Sequence, residues 1–158
     1  MNKRVTFQPH SPEKQKEYER QARLQYGADN VNESVRRWAS YSPERQQSIM
    51  EEGGQVYVAL ADAMRAGLSG DNPQVRTLLE RWYQHIRYFY EPTLDILRGL
   101  GDLYNTDAEF KAFFERIDVD LPAYLQEVIG VYVDALETEE IERMLAHDAE
   151  ERISRLQS

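Results

Sequence analysis

Helix-start chemistry recurs along this chain, and no run of residues alternates at period two for long. Ser42-Pro43-Glu44 offers an N-cap hydroxyl, a proline at the first helical position and an acid in the first turn. Asn72-Pro73, Ser11-Pro12-Glu13 and Asp120 with Pro122 repeat that chemistry. Thr106 followed by Glu109 reads as a capping box that opens an apolar run. Valine, isoleucine and threonine are sparse. The chain therefore reads as all-α. The pattern predicts helices over about residues 12–26, 30–39, 43–66, 73–90, 93–104, 107–117, 122–136 and 139–156. Gly27 supplies a C-terminal stop, and Ala66 to Pro73 (AGLSGDNP) supplies another.

The chain has 158 residues, enough for one domain with a real core. The apolar residues are distributed unevenly. Residues 1–41 carry few large apolar groups, chiefly Leu24, Tyr26, Val35, Trp38 and Tyr41. Such a segment has little to bury by itself, so its order is expected to depend on a partner. Residues 42–136 hold the expected core. Residues 137–158 read as an acidic helix with a thin stripe of Ile141, Met144, Leu145, Ile153 and Leu156, packed by one edge.

The densest aromatic stretch is RWYQHIRYFYEP, Arg81 to Pro92, with five aromatic side chains. At ~100° per residue, Val75, Leu78, Leu79, Trp82, Ile86 and Phe89 share one face. Tyr83 and Tyr90 lie together at one margin, His85 lies at the other, and Tyr88 points away. Two readings stand for the marginal residues: ordinary boundary packing, or the wall of a pocket. Gly99 and Gly101 sit inside a helical pattern at a cost of ~1 kcal/mol each against alanine, which implies close packing. Phe110, Phe113, Phe114 and Ile117 follow at helical spacing, and the proline corner between the two aromatic helices makes a natural cleft.

Several chemistries are excluded or disfavoured. There are no cysteines, so disulfides, thiolate metal sites and cysteine nucleophiles are absent. His10, His85 and His147 lie far apart and no metal or cofactor is expected. No nucleophile–base pair or phosphate loop is visible, which argues against an enzyme. The formal net charge of −9 argues against direct nucleic-acid binding. No apolar run reaches the ~20 residues of a membrane span, and the N-terminus lacks the apolar stretch of a signal peptide. A cytoplasmic location is expected.

FYEPTLDILRGLGDLYNTDAEF, Phe89 to Phe110, resembles the signature of the TipA-type antibiotic-recognition domain, the effector half of MerR-type drug-responsive activators. The matching features are Phe89-Tyr90, Pro92-Thr93, Gly99-Leu100, Tyr104, Asp107 and Phe110. LPAYLQEVIGVYV, Leu121 to Val133, is similar to the family's later helix, and Gly27, Ser34, Arg37, Tyr41 and Ser42 match upstream. The resemblance covers about Ser11 to Leu136.

The resemblance implies a globin-like bundle of about seven to eight helices, with N-terminal helices that order over a bound drug. It implies reversible binding of bulky planar heteroaromatic antibiotics, thiopeptides among them, for drug sensing or sequestration. Stacking falls to Trp82, Tyr83, Tyr90 and Tyr104, with Phe110 in the same cleft. His85 and Asp107 orient the ligand by hydrogen bonds, and Trp38 and Tyr41 serve as the lid. Some family members capture thiopeptides through a cysteine at the position of Pro92, which this chain cannot do. Family members often carry histidine at the position of Leu97 and tend to carry tryptophan at that of His85. A MerR-type DNA-binding half in a longer product is an expected partner. The alternative is a regulatory domain whose N-terminal segment folds on a protein partner.

Overall fold

The structure, a computed structural model, describes residues 28–157. Six helices run in order through this part: α1 (Ala28–Ser40), α2 (Pro43–Arg65), α3 (Pro73–Ile86), α4 (Leu94–Thr106), α5 (Ala108–Glu115) and α6 (Leu121–Gln157). No strand occurs among the described residues. The expected helix over 12–26 lies outside them. Two further expected helices prove to be one, which accounts for six where eight were mapped.

The caps are built largely from the residues the sequence offered. Ser42 accepts a hydrogen bond from the Arg45 backbone N–H at 3.0 Å, with Pro43 opening α2. Asn72 does the same for Gln74 at 2.9 Å, with Pro73 opening α3. Satisfying an orphan N–H in this way is worth ~1 kcal/mol. α2 ends in a Schellman arrangement. Leu68 N–H donates to the Ala63 carbonyl and Gly67 N–H to that of Met64. Gly67 sits at φ +74°, a left-handed conformation that favours glycine.

Three expectations needed correction. The cap of α5 is Asp107, not Thr106: its Oδ2 accepts from the backbone N–H groups of Glu109 and Phe110, each at 3.1 Å. Thr106 instead donates to the Asp102 carbonyl within α4. The helix expected to reach Tyr90 stops at Ile86, and residues 87–90 continue as tight turns. The break expected near residue 137 is absent. The sequence there holds no glycine or proline, and Thr138 bonds back to the Asp134 carbonyl at 3.0 Å. Arg98 also bridges Asp134 and Glu137, at 2.7 and 3.2 Å, and ties that stretch to α4.

The core lies between α4 and α6 and beneath α2, α3 and α5. Leu60, Leu79, Trp82, Leu97, Phe114, Leu125 and Ile129 are all fully buried there. Burying such side chains stabilises by ~1.5–3 kcal/mol each. Gly101 explains one of the mid-helix glycines: a Cβ there would lie 2.9 Å from Ile129 Cγ2, so α4 and α6 pack closer than alanine allows. Trp82 Nε1 donates to the Tyr104 hydroxyl at 3.2 Å, and that hydroxyl lies 3.2 Å from the hydroxyl of Tyr57. Beyond Glu139 every described residue of α6 is exposed. The stripe expected to pack by one edge therefore packs on none of the other described residues, and Leu145 is 64% exposed.

Candidate ligand-binding groove

A groove of about 490 Å³ runs between α2 and α3. Glu52 and Val56 line it from α2, Glu80, Arg81 and His85 from α3, and Tyr88 from the turn beyond. Its size falls within the ~300–1,000 Å³ of small-molecule sites. The groove owes its shape to a glycine. Gly53 is buried in the middle of α2, and the His85 imidazole lies directly on it. A Cβ at residue 53 would stand 2.6 Å from His85 Cε1 and 2.7 Å from Nε2. No residue but glycine leaves room for the ring in this position.

His85 is therefore held in an unusual state. Burial pushes its pKa down to about 4, opposed in part by the Glu52 carboxylate. The imidazole is neutral near pH 7. Its Nδ1 is shut from solvent and has no hydrogen-bond partner among the described residues. Leaving such an atom unpaired costs ~1–3 kcal/mol. The ring meets the edges of two aromatics, Tyr88 at 6.3 Å and Phe89 at 5.6 Å between centroids, each crossed at 76°.

The same two aromatics receive α1. Trp38 stacks on Phe89 at 5.6 Å with the planes 25° apart. Tyr41 donates from its hydroxyl to the Tyr88 carbonyl at 2.5 Å and crosses the Tyr88 ring at 90°. Arg37 donates to the Arg87 carbonyl at 3.0 Å, and Gln46 to that of Trp38 at 2.8 Å. Arg45 covers the Tyr88 ring at 4.9 Å and donates to its hydroxyl at 3.1 Å. α1 is thus seated on the aromatic turn at the end of α3, next to the groove, by rings and by exposed or part-buried polar bonds. Its helix surface contributes no fully buried residue.

An all-helical domain with an aromatic lid-like helix beside a drug-sized groove agrees with the resemblance read from the sequence. The sequence model of the TipAS antibiotic-recognition domain matches residues 18–132. The chain belongs to this family.

Other relatives of this TipAS-family domain point the same way. The HTH-type transcriptional activator mta of Bacillus subtilis (strain 168) is 34% identical over 139 residues, covering 85% of this chain and 53% of that protein. The HTH-type transcriptional regulator SkgA of Caulobacter vibrioides is 29% identical over 141 residues, covering 84% and 54%. The chain spans about half the length of these two relatives. A solved structure of TipAS in complex with nosiheptide comes from a thiopeptide-antibiotic multidrug resistance system of Streptomyces lividans. It matches with a TM-score of 0.66 at 26% identity, covering 78% of this chain and 86% of that one. The relatives are transcriptional regulators and a drug-bound domain, not enzymes.

The candidate site residues fall into three groups. Trp38, Tyr41 and His85 come together around Tyr88 and Phe89. Trp82 and Tyr104 do not join them. They are 1% and 3% exposed and bonded to each other in the core, so neither presents a face to a ligand in this arrangement. Phe110 packs on Tyr104 at 5.2 Å, and Tyr90 packs half-buried on the core. Tyr83, also half-buried on the core, lies under the Arg87 guanidinium at 5.9 Å. Asp107 uses one carboxylate oxygen to cap α5. The cleft expected between the two aromatic helices is filled by Tyr104, which meets Trp82, Phe110 and Phe114, and the groove lies instead between α3 and α2.

The sequence reading missed Glu52, Gly53, Val56, Glu80, Arg81 and Tyr88. Helical spacing of ~100° per residue continued to Tyr90 predicts that Tyr88 points away. The helix ends earlier. Tyr88 N–H donates to His85 at 3.2 Å and Phe89 N–H to Ile86 at 2.9 Å, three-residue steps that swing Tyr88 back toward α2. The signal that pointed to the groove was Gly53-Gly54 inside a strong helical run. Each costs ~1 kcal/mol against alanine, so close approach of another element is the physical reason to expect them.

Proposed function

We propose that this domain is the drug-sensing effector part of a MerR/TipA-type regulator, binding bulky planar heteroaromatic antibiotics of thiopeptide kind reversibly. The observation that carries the reading is the groove beside His85 with α1 seated on its rim, on a fold that matches nosiheptide-bound TipAS. Covalent capture through a cysteine is excluded, since the chain has none. Of the residues read from the sequence, Trp38, Tyr41 and His85 are the ones this reading assigns to the ligand, because they gather around Tyr88 and Phe89. Tyr83 and Tyr90 stand further round the domain as half-buried surfaces. Trp82, Tyr104, Phe110 and Asp107 hold the scaffold.

Seating α1 costs ordering entropy, offset by the area a large rigid drug presents. A thiopeptide is larger than the groove, so contact with α1 belongs to the same binding event. In the regulator, that event would be passed on to a DNA-binding half.

The test is a titration with nosiheptide that follows tryptophan emission and far-UV circular dichroism together. Trp38 is half-buried on Phe89 and serves as the reporter, while Trp82 is sealed in the core and serves as the internal reference. Saturable quenching that is lost in Trp38→Phe supports the reading. No saturable response from the folded domain across thiopeptides and other rigid heteroaromatic antibiotics defeats it and leaves a protein partner as the better account.

A further inference from the structure

We infer that the groove between α2 and α3 takes a flat heteroaromatic ring carrying an N–H or O–H donor, which the His85 imidazole accepts. This deepens the drug-binding reading above by assigning a specificity residue and a ligand chemistry to the site.

Three observations on the structure meet at this residue. The first is geometric. Gly53 leaves bare backbone on α2, the imidazole occupies the space a Cβ would fill, and the ring forms part of the groove's wall. A planar partner entering beside it meets Val56 and Tyr88, an aliphatic wall and an aromatic one. The second is the state of the ring. A neutral imidazole keeps one bare nitrogen, so it accepts a hydrogen bond as well as donating one. The third is that Nδ1 has no partner in the described structure. A half-turn of the ring about Cβ–Cγ exchanges Nδ1 with Cδ2 and leaves the ring's footprint on Gly53 unchanged. The ring can therefore present a nitrogen on either edge without repacking.

The half-turn carries the nitrogen from its sealed, unpaired position to the other edge of the ring, where a ligand donor pairs with it and relieves the cost of the unpaired atom. Discrimination by a site built around such an atom is correspondingly strong. The groove's charged groups do not demand a charged ligand. It holds Glu52 and Glu80 against Arg81, with Glu80 itself 3.7 Å from Arg76.

The experiment uses the whole chain labelled with nitrogen-15 and two small probes of one shape. 2-Aminobenzothiazole carries an N–H donor, and 2-methylbenzothiazole does not. Long-range proton–nitrogen spectra read the His85 ring during each titration. The expected result is that the amino probe binds about tenfold tighter and moves the His85 nitrogen shifts, while the methyl probe leaves them nearly unmoved. The preference is expected to vanish in His85→Phe, whose ring keeps the shape without the nitrogens. Equal affinity for the two probes in the wild-type chain, or a preference that survives in His85→Phe, overturns the inference. The wild-type comparison stands even where the variant fails to fold. A parallel nosiheptide titration separates the two readings. Nosiheptide bound equally by wild type and His85→Phe sinks the role of His85 and leaves the drug-sensing function. Probes bound at His85 with nosiheptide ignored does the reverse.

Discussion

Gly53→Ala is a substitution whose sign depends on one other side chain. In an ordinary helix interior it stabilises by ~1 kcal/mol, because alanine gives up less backbone entropy. Here the new methyl would stand 2.6 Å from His85 Cε1, where ordinary contact begins at 3.4 Å. The imidazole must move. Tyr88 and Phe89 hold it from the side, so it swings outward into the groove. Overpacking of this kind costs ~1–3 kcal/mol. Set against the propensity gain, Gly53→Ala should destabilise the domain by ~0–2 kcal/mol. In a His85→Ala background the obstruction is gone, and the same substitution should stabilise by ~1 kcal/mol.

The cycle of four proteins, unfolded in urea at pH 7 and followed by far-UV circular dichroism, measures the coupling directly. A coupling of ~1–3 kcal/mol is expected, with Gly53→Ala changing sign between the two backgrounds. Stabilisation by Gly53→Ala in both backgrounds would refute the packing of His85 on α2, and with it the shape of the groove. The same substitution should also halve or abolish ligand uptake, because the displaced ring fills the space a ligand would occupy.

Tyr104→Phe should cost ~1–3 kcal/mol by leaving the buried Trp82 indole N–H without its acceptor, read as a lower urea midpoint at unchanged m-value. Tyr41→Phe with Trp38→Ala should loosen α1 while sparing the core. Hydrogen exchange is expected to accelerate within residues 28–40 and to hold in α4 and the first half of α6. The pH dependence follows from His85. Its pKa in the folded protein is pushed down to about 4 from an ordinary 6.5, so the unfolded chain takes up the proton first as pH falls. Stability fully present above pH 6.5 should be lost by up to ~3 kcal/mol as pH falls toward 4. In His85→Phe that part of the slope should disappear, as urea midpoints at pH 6.5 and 4.5 will show.

The helical class, most of the helix starts and the core stripe were written in local chemistry. Ser42-Pro43 and Asn72-Pro73 are legible without tertiary context because a cap is satisfied within four residues. Val75, Leu79, Trp82 and Ile86 are legible because helical spacing alone puts them on one face. The family was legible too, since the order of short motifs survives in the chain. What the chain could not show locally was where a helix stops being a helix. Residues 87–90 look helical by composition and wind as turns, and the continuous α6 looked like two helices. Both depend on partners distant in sequence: Tyr41 and Arg37 take the carbonyls of the turn, and Arg98 and Arg76 hold α6 across residue 137.

The site was decided almost wholly by packing. Sequence determined that Tyr104 is aromatic, and only the fold decided that it is buried in the core against Trp82 and Phe114. Sequence determined that residue 53 is glycine, and only the approach of α3 to α2 turned that glycine into the bed of a histidine. The physical reason is range. Capping, propensity and amphipathic spacing act within a turn or two of helix, so the chain states them outright. A groove is the space left between elements, and its walls come from residues more than twenty positions apart whose meeting is set by the whole core.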